Sequence, residues 1–193
     1  MPPERVPIPP TFYADDTDAP FDECMVCDQP LRDGSVDYVI EKGFRSYEGY
    51  DVEETVFGYA LCMPCHATLS NSFSDASAQR CSSFLNEHMD LPERTAALLP
   101  STEDVSVDPS DWTQQCVVYG TPKKDLEEYQ LLAHCRGEKM LVTHLPLMIG
   151  GPAIEALVER LSNETLDELG GFRDEHFGVP PELQQNLQGP VLA

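Results

Sequence analysis

The chain contains two Cys-x-x-Cys pairs, Cys24–Cys27 and Cys62–Cys65, separated by 34 residues. Each pair places two thiols close enough to bind one metal ion, and the two pairs together supply the four sulfur ligands of a tetrahedral site. The chain has seven cysteines and no apolar signal core near Met1, which favours reduced thiols or metal ligands over disulfides. The sequence therefore predicts a folded module organised around one metal ion.

The residues around the second pair predict a β-hairpin followed by a helix. Residues 36–41 alternate between apolar and polar side chains, which is typical of a strand, and residues 55–61 predict a second strand that runs into Cys62. Pro64 lies where the first turn of a helix accepts proline. A later helix is predicted from an apolar stripe formed by Cys81, Phe84, Leu85, His88 and Met89.

The order of these elements resembles the treble-clef group of zinc fingers. The resemblance covers about residues 22–75 and rests on the four cysteines, Cys24, Cys27, Cys62 and Cys65, and on the sequence of turn, hairpin and helix. The group is functionally mixed, so the resemblance implies a fold and a metal rather than an activity. Four thiolates hold Zn²⁺ at about 2.3 Å in a closed tetrahedron, and we therefore expect one purely structural zinc ion.

Three other uses of these cysteines compete with zinc. Cys62 to His66 spells Cys-x-x-Cys-His, the attachment motif of covalent haem, but attachment normally requires export and leaves the first pair unexplained. A rubredoxin-like iron site uses the same four thiolates, although Asp28 and His66 stand where that family typically has glycine. The third alternative is a redox-active dithiol, or no metal at all.

An aromatic loop lies between the two predicted strands of the hairpin. Phe44, Tyr47 and Tyr50 recur at every third position in a segment interrupted by Gly43 and Gly49. Three aromatic side chains in such a loop predict a partner-binding patch. The alternative is that they fold over the hairpin and cover a small core.

The whole chain is predicted to be α+β, with a treble-clef-like zinc module followed by a small unit of a sheet and two helices. The predicted divisions are a flexible acidic and Pro-rich tail at 1–20, the zinc-binding domain at 21–95, a linker at 96–112, a small α+β domain at 113–180 and an extended tail at 181–193.

In the second unit we predict a strand at 115–119, a hairpin of residues 128–135 and 138–145, and two helices that end near Leu161 and His176. With Arg136-Gly137 as the hairpin turn, His134 faces Lys139 and His144 faces Tyr129. The two histidines are then about 16 Å apart and cannot share a metal ion.

Composition limits the classes of partner. The chain carries 34 acidic and 12 basic residues, a net charge of −22, and no segment forms a basic patch. This argues against nucleic acid and anionic membranes as partners, and no apolar run approaches the roughly 20 residues of a membrane helix. We expect a cytoplasmic protein that binds another protein, and its acidic surface would suit a basic partner.

The leading functional hypothesis is a zinc-stabilised protein-binding, adaptor or regulatory protein. An enzyme with its site between the two units is an alternative from another class. Its acid–base candidates are His66, Glu87, His88, His134 and His144, none of which lies in a recognisable catalytic motif. Electron transfer through iron or haem is a further alternative.

Overall fold

The computed structural model describes residues 4–47, 52–98 and 109–177. Within these ranges the chain forms six β-strands and five α-helices, which confirms the predicted α+β class. The strands are β1 (Glu4–Pro7), β2 (Asp37–Ser46), β3 (Glu53–Cys62), β4 (Glu128–Arg136), β5 (Lys139–Val142) and β6 (Leu147–Gly150). The helices are α1 (Met63–Asn71), α2 (Asp75–His88), α3 (Leu91–Leu98), α4 (Gly151–Val158) and α5 (Asn163–His176).

All six strands of the described residues belong to one antiparallel sheet, in the order β1-β5-β4-β2-β3, with β6 also paired to β4. Strands β2 and β4 pair continuously from Asp37↔Arg136 to Arg45↔Glu128. The predicted units 21–95 and 113–180 therefore share one sheet, which corrects their description as two separate units. The physical reason is that β2 is buried along most of its length, so it needs a neighbour on both sides.

The N-terminal segment is also part of this fold, so the prediction of a flexible tail at 1–20 is wrong for its described residues. Strand β1 pairs with β5, and the ring of Phe12 is only 1% exposed. Pro7 is tolerated because β1 is an edge strand, where a missing N–H costs no ladder hydrogen bond. Lys42 of β2 holds two later residues of this segment: its ammonium group donates to the Tyr13 carbonyl at 2.7 Å and pairs with Asp15 at 2.9 Å.

The β4–β5 hairpin differs from the prediction in its register. Arg136 pairs with Lys139 and Cys135 with Met140, so the turn residues are Gly137 and Glu138 rather than Arg136 and Gly137. Gly137 has a φ of 57°, which glycine adopts without steric cost at the first position of such a turn.

The predicted strand at 115–119 does not form. Two of its residues make isolated bridges instead, Gln115 with Pro122 and Cys116 with Met148 of β6. In the predicted linker at 96–112, α3 continues to Leu98 and a 3-10 helix begins at Pro109, while residues 99–108 lie outside the described residues. The predicted tail at 181–193 lies outside them as well.

Candidate metal centre

The four cysteines of the two pairs converge on one point. Their sulfur atoms all lie within 4.8 Å of one another, and the Cys27 and Cys62 sulfurs are 3.7 Å apart. This distance is far longer than a disulfide bond, and all four thiols are free. Four sulfurs at about 2.3 Å from a central ion would be about 3.8 Å from one another in a tetrahedron. The arrangement can therefore hold one metal ion.

The first pair lies on a tight turn that aims both sulfurs to the same side. The Asp28 amide donates to the Cys24 carbonyl at 2.9 Å, and the Cys24 amide donates to the Gln29 carbonyl at 2.9 Å. Asp28 takes the left-handed conformation with a φ of 56°, which aspartate tolerates better than most side chains. A glycine would adopt this backbone conformation at less steric cost than Asp28.

The second pair lies where β3 passes into α1. Cys62 is the last residue of β3 and the N-cap of α1, with Pro64 in the first turn as predicted. The Cys62 amide donates to the Cys24 sulfur at 3.3 Å. In addition, the Met25 amide donates to the Ala60 carbonyl at 3.0 Å. The turn of the first pair is therefore hydrogen-bonded to the outer edge of β3.

The four thiols differ in their electrostatics. Burial acts to raise the pKa of Cys24, but amide hydrogen bonds, above all from Cys62, outweigh it and lower the pKa to about 7. Burial raises the pKa of Cys62 and of Cys65, and for Cys65 the neighbouring thiols raise it further. A metal ion at this site would have to displace protons from Cys62 and Cys65.

The donor set fits a closed tetrahedral metal. Cys24 and Cys62 are buried, Cys65 is half-buried and Cys27 is exposed. Four thiolates leave no position for a substrate, and they suit Zn²⁺ or a single iron ion equally in geometry. Among the residues that the structure describes, this is the one group of three or more metal-ligating side chains.

The predicted aromatic patch is not assembled as expected. Phe44 belongs to β2, is 7% exposed and stacks on Tyr129 with ring centroids 5.1 Å apart, so it contributes to the core. Tyr47 is 43% exposed, and its hydroxyl donates to Glu54 at 2.6 Å. Tyr50 lies outside the described residues. Of the three, Tyr47 alone is seen at the surface, and a contact with a partner stays a prediction.

The histidines named as acid–base candidates lie outside the sulfur cluster. Burial lowers the pKa of His66, and nearby His134 lowers it further. His134 Nε2 lies 3.3 Å from the Asp37 carboxylate. His144 follows β5 and does not face Tyr129, which is paired with Phe44 of β2 and Gly150 of β6, so the predicted position of His144 is wrong. His88 packs its ring on Phe84 at 4.4 Å.

A buried polar group on the sheet escaped sequence reasoning. Glu41 is buried in β2 and accepts a hydrogen bond from the Tyr59 hydroxyl at 2.6 Å. The two residues are opposite each other in the β2–β3 register. A charged residue within a strand is usually at the surface, and the register that brings the tyrosine to it is not visible in the sequence.

Comparison of the chain with protein-family models, with curated proteins and with solved structures returns no match. Over the described residues, the helices are too short or too polar for any of them to cross a membrane.

Proposed function

We propose that this chain is a protein-binding or adaptor protein in which Cys24, Cys27, Cys62 and Cys65 hold one structural Zn²⁺. The convergence of the four sulfurs within 4.8 Å is the observation that carries the proposal. A metal with all four positions occupied by protein stabilises a fold and offers no site for catalysis. The treble-clef-like arrangement of turn, hairpin and helix is part of the same proposal.

The metal would join two segments that are far apart in the sequence. Cys24 and Cys27 come from a turn, whereas Cys62 and Cys65 come from the β3–α1 junction. Structural zinc contributes on the order of 10–16 kcal/mol of apparent binding free energy in small modules. The Cys62 amide, which already donates to the Cys24 sulfur, would stabilise a thiolate ligand there.

The surface of the protein supports a protein partner rather than a nucleic acid. The net charge of −22 gives a field that repels phosphate backbones and attracts basic surfaces. We therefore propose a partner that presents lysine or arginine. The reduced thiols fit a reducing compartment such as the cytoplasm.

Elemental analysis of the purified full chain tests the metal proposal. We expect about one equivalent of zinc, and we expect chelation to lower the midpoint of thermal unfolding strongly. Less than about half an equivalent of metal, together with unchanged unfolding after chelation, would refute the structural role. The control is the Cys81→Ser variant, which changes a half-buried thiol outside the cluster and should keep its zinc.

A single iron ion in the same four-thiolate geometry is the second candidate, because the sulfur positions fit both metals. The two are separated by colour and by the same elemental analysis. A coloured protein with one equivalent of iron would convert the proposal to electron transfer, while a colourless zinc protein excludes it.

A further inference from the structure

Strand β3 forms an edge of the sheet, and its hydrogen bonds show which of its backbone groups face outwards. The Ala60 carbonyl accepts from Met25, and the Cys62 amide donates to the Cys24 sulfur, so these groups point away from β2. Backbone groups on a strand face the same side at every second residue. The N–H and C=O of Gly58, which lies opposite Lys42, therefore also face outwards.

The cover of this edge ends at Gly58. The cysteine turn covers residues 60–62, but no hydrogen bond from residues 4–47, 52–98 or 109–177 reaches the outward backbone groups of Gly58. Gly58 is partly exposed, and it lines a cavity of about 400 Å³ together with the segment 14–23. An unpaired strand edge of this kind is a template for an additional strand.

The cavity beside this edge is strongly acidic. Asp15, Asp16, Asp22 and Glu23 all line it, and all four side chains are exposed. Asp15 pairs with Lys42 and Asp22 with Arg32, while Asp16 and Glu23 have no ion pair within the described part of the chain. Strand β3 also begins with two exposed carboxylates, at residues 53 and 54. The edge therefore offers backbone donors and acceptors next to negative charge.

We propose that the β3 edge around Gly58 binds an extended segment of a partner protein as a further strand, with a lysine or arginine of that segment in the acidic cavity. The proposal rests on the protein-binding function proposed above and names the surface and the partner class. Main-chain hydrogen bonds to Gly58 would supply affinity, and the carboxylates of Asp16 and Glu23 would select the basic side chain.

Two other occupants fit this edge less well. A second copy of the chain would bring the same charge of −22 to the same acidic edge and would be repelled. Residues 178–193 follow Phe177, whose ring lies 5.4 Å from the ring of Tyr59 on β3, but their one charged side chain is Glu182. Neither supplies the cation that the cavity favours.

Fluorescently labelled peptides test the proposal with the purified full chain, and the metal content of the same preparation is measured. The probe is a peptide of about nine residues that alternates lysine with valine, and the matched control replaces each lysine by glutamate. We expect the lysine peptide to bind and the glutamate peptide not to bind. The Asp16→Lys variant should weaken binding by about tenfold, whereas Glu168→Lys, at an exposed position on α5, should change it less than about twofold.

Hydrogen exchange at the Gly58 amide distinguishes strand addition from general charge attraction. We expect the lysine peptide to slow this exchange by about tenfold, because the outward N–H becomes hydrogen-bonded. Equal binding of both peptides, or binding that leaves the Gly58 amide unprotected, would overturn the proposal. So would protection of Gly58 in the free protein that is lost on dilution or on deletion of residues 178–193.

The same experiment separates this inference from the metal proposal. A folded, zinc-containing chain that does not bind the lysine peptide refutes the proposal for the β3 edge and leaves the proposal of a structural zinc unaffected. A chain that binds the peptide but contains no metal refutes the zinc and keeps the surface.

Discussion

Two clusters of four polar side chains join distant parts of this chain, and they do so by opposite means. At the candidate metal centre, four thiols from two segments converge with their sulfurs within 4.8 Å. At the second cluster, Ser74 and Ser77 of the α2 start meet Ser162 and Thr165 of the α5 start. The sulfurs are weak hydrogen-bonding groups and gain little from one another, but together they can hold a metal ion.

The hydroxyl cluster supplies its own hydrogen-bond donors and acceptors. Ser74 caps α2 by accepting from the Ser77 amide, and Ser162 caps α5 by accepting from the Thr165 amide. Each helix start is also hydrogen-bonded to the other: the Ser162 amide donates to Ser77 Oγ at 2.8 Å, and the Ser74 amide donates to Thr165 Oγ1 at 3.0 Å. The comparison teaches that a cluster with internal donors and acceptors is complete by itself, whereas the four thiols leave room for a metal ion.

The largest expected effect is at the metal centre. Cys62→Ser removes one ligand but keeps a residue that is favoured at a helix N-cap, so the loss reports the metal. We expect a loss of more than about 4 kcal/mol of unfolding free energy in urea denaturation. Cys81→Ser, at a half-buried thiol that contacts the Leu157 carbonyl, should cost less than about 1 kcal/mol. Equal stability of the two variants would contradict a structural metal.

A smaller effect is expected at the hydroxyl cluster. Thr165→Val removes the acceptor of the Ser74 amide and the hydrogen bond from Thr165 to the Ser77 hydroxyl at a fully buried position, so we expect a cost of about 1–3 kcal/mol. The measurement is urea denaturation with metal present. Thr68→Val, an exposed helical threonine, is the matched control and should stay within about 0.5 kcal/mol of the parent. If both variants match the parent, the hydroxyl cluster contributes nothing measurable.

The smallest expected effect is a change in the number of protons that metal binding releases. The pKa of Cys24 is lowered to about 7 in the metal-free protein, so this thiol is ionised above that pH and protonated below it. Its proton must be displaced by the metal only at low pH. Calorimetry in buffers of different ionisation enthalpy should show about one more proton released per metal at about pH 6 than at about pH 8.

A comparison of the two pH values also separates the two clusters. Serine and threonine hydroxyls do not titrate in this range, so the cost of Thr165→Val should be the same at both pH values. A proton count that does not change with pH would show that the amide hydrogen bonds to the Cys24 sulfur do not stabilise its thiolate.

Sequence reasoning succeeded where a few neighbouring residues decide the structure. Two thiols three residues apart on a turn, and a Pro-marked helix start with the next two, were enough to predict which four cysteines converge. The helices with clear stripes and caps, such as the one that begins after Ser162, were predicted for the same reason.

Prediction from the sequence failed where the structure depends on contacts between segments that are far apart in the chain. The pairing of β2 with β4 joins residues 37–45 to 128–136, and no local pattern specifies that partner. The segment taken as a loose tail is ordered by the Lys42–Asp15 ion pair and by β1–β5 pairing, both of which are long-range. Phe44 was predicted to lie in an exposed loop. In the structure it belongs to β2, which extends to Ser46, and its ring stacks on Tyr129, a distant residue that no local pattern indicates.

The sequence by itself determined the α+β class and the four sulfurs that meet, because spacing and residue chemistry act over a few positions. The tertiary structure alone decided that these sulfurs lie at the end of strand β3, near the acidic segment 14–23 and near Gly58, whose outward backbone groups have no partner among the described residues. Strand partners are chosen by burial and hydrogen bonding across the whole chain, and for that reason the surface that a partner could use emerges only from the folded molecule.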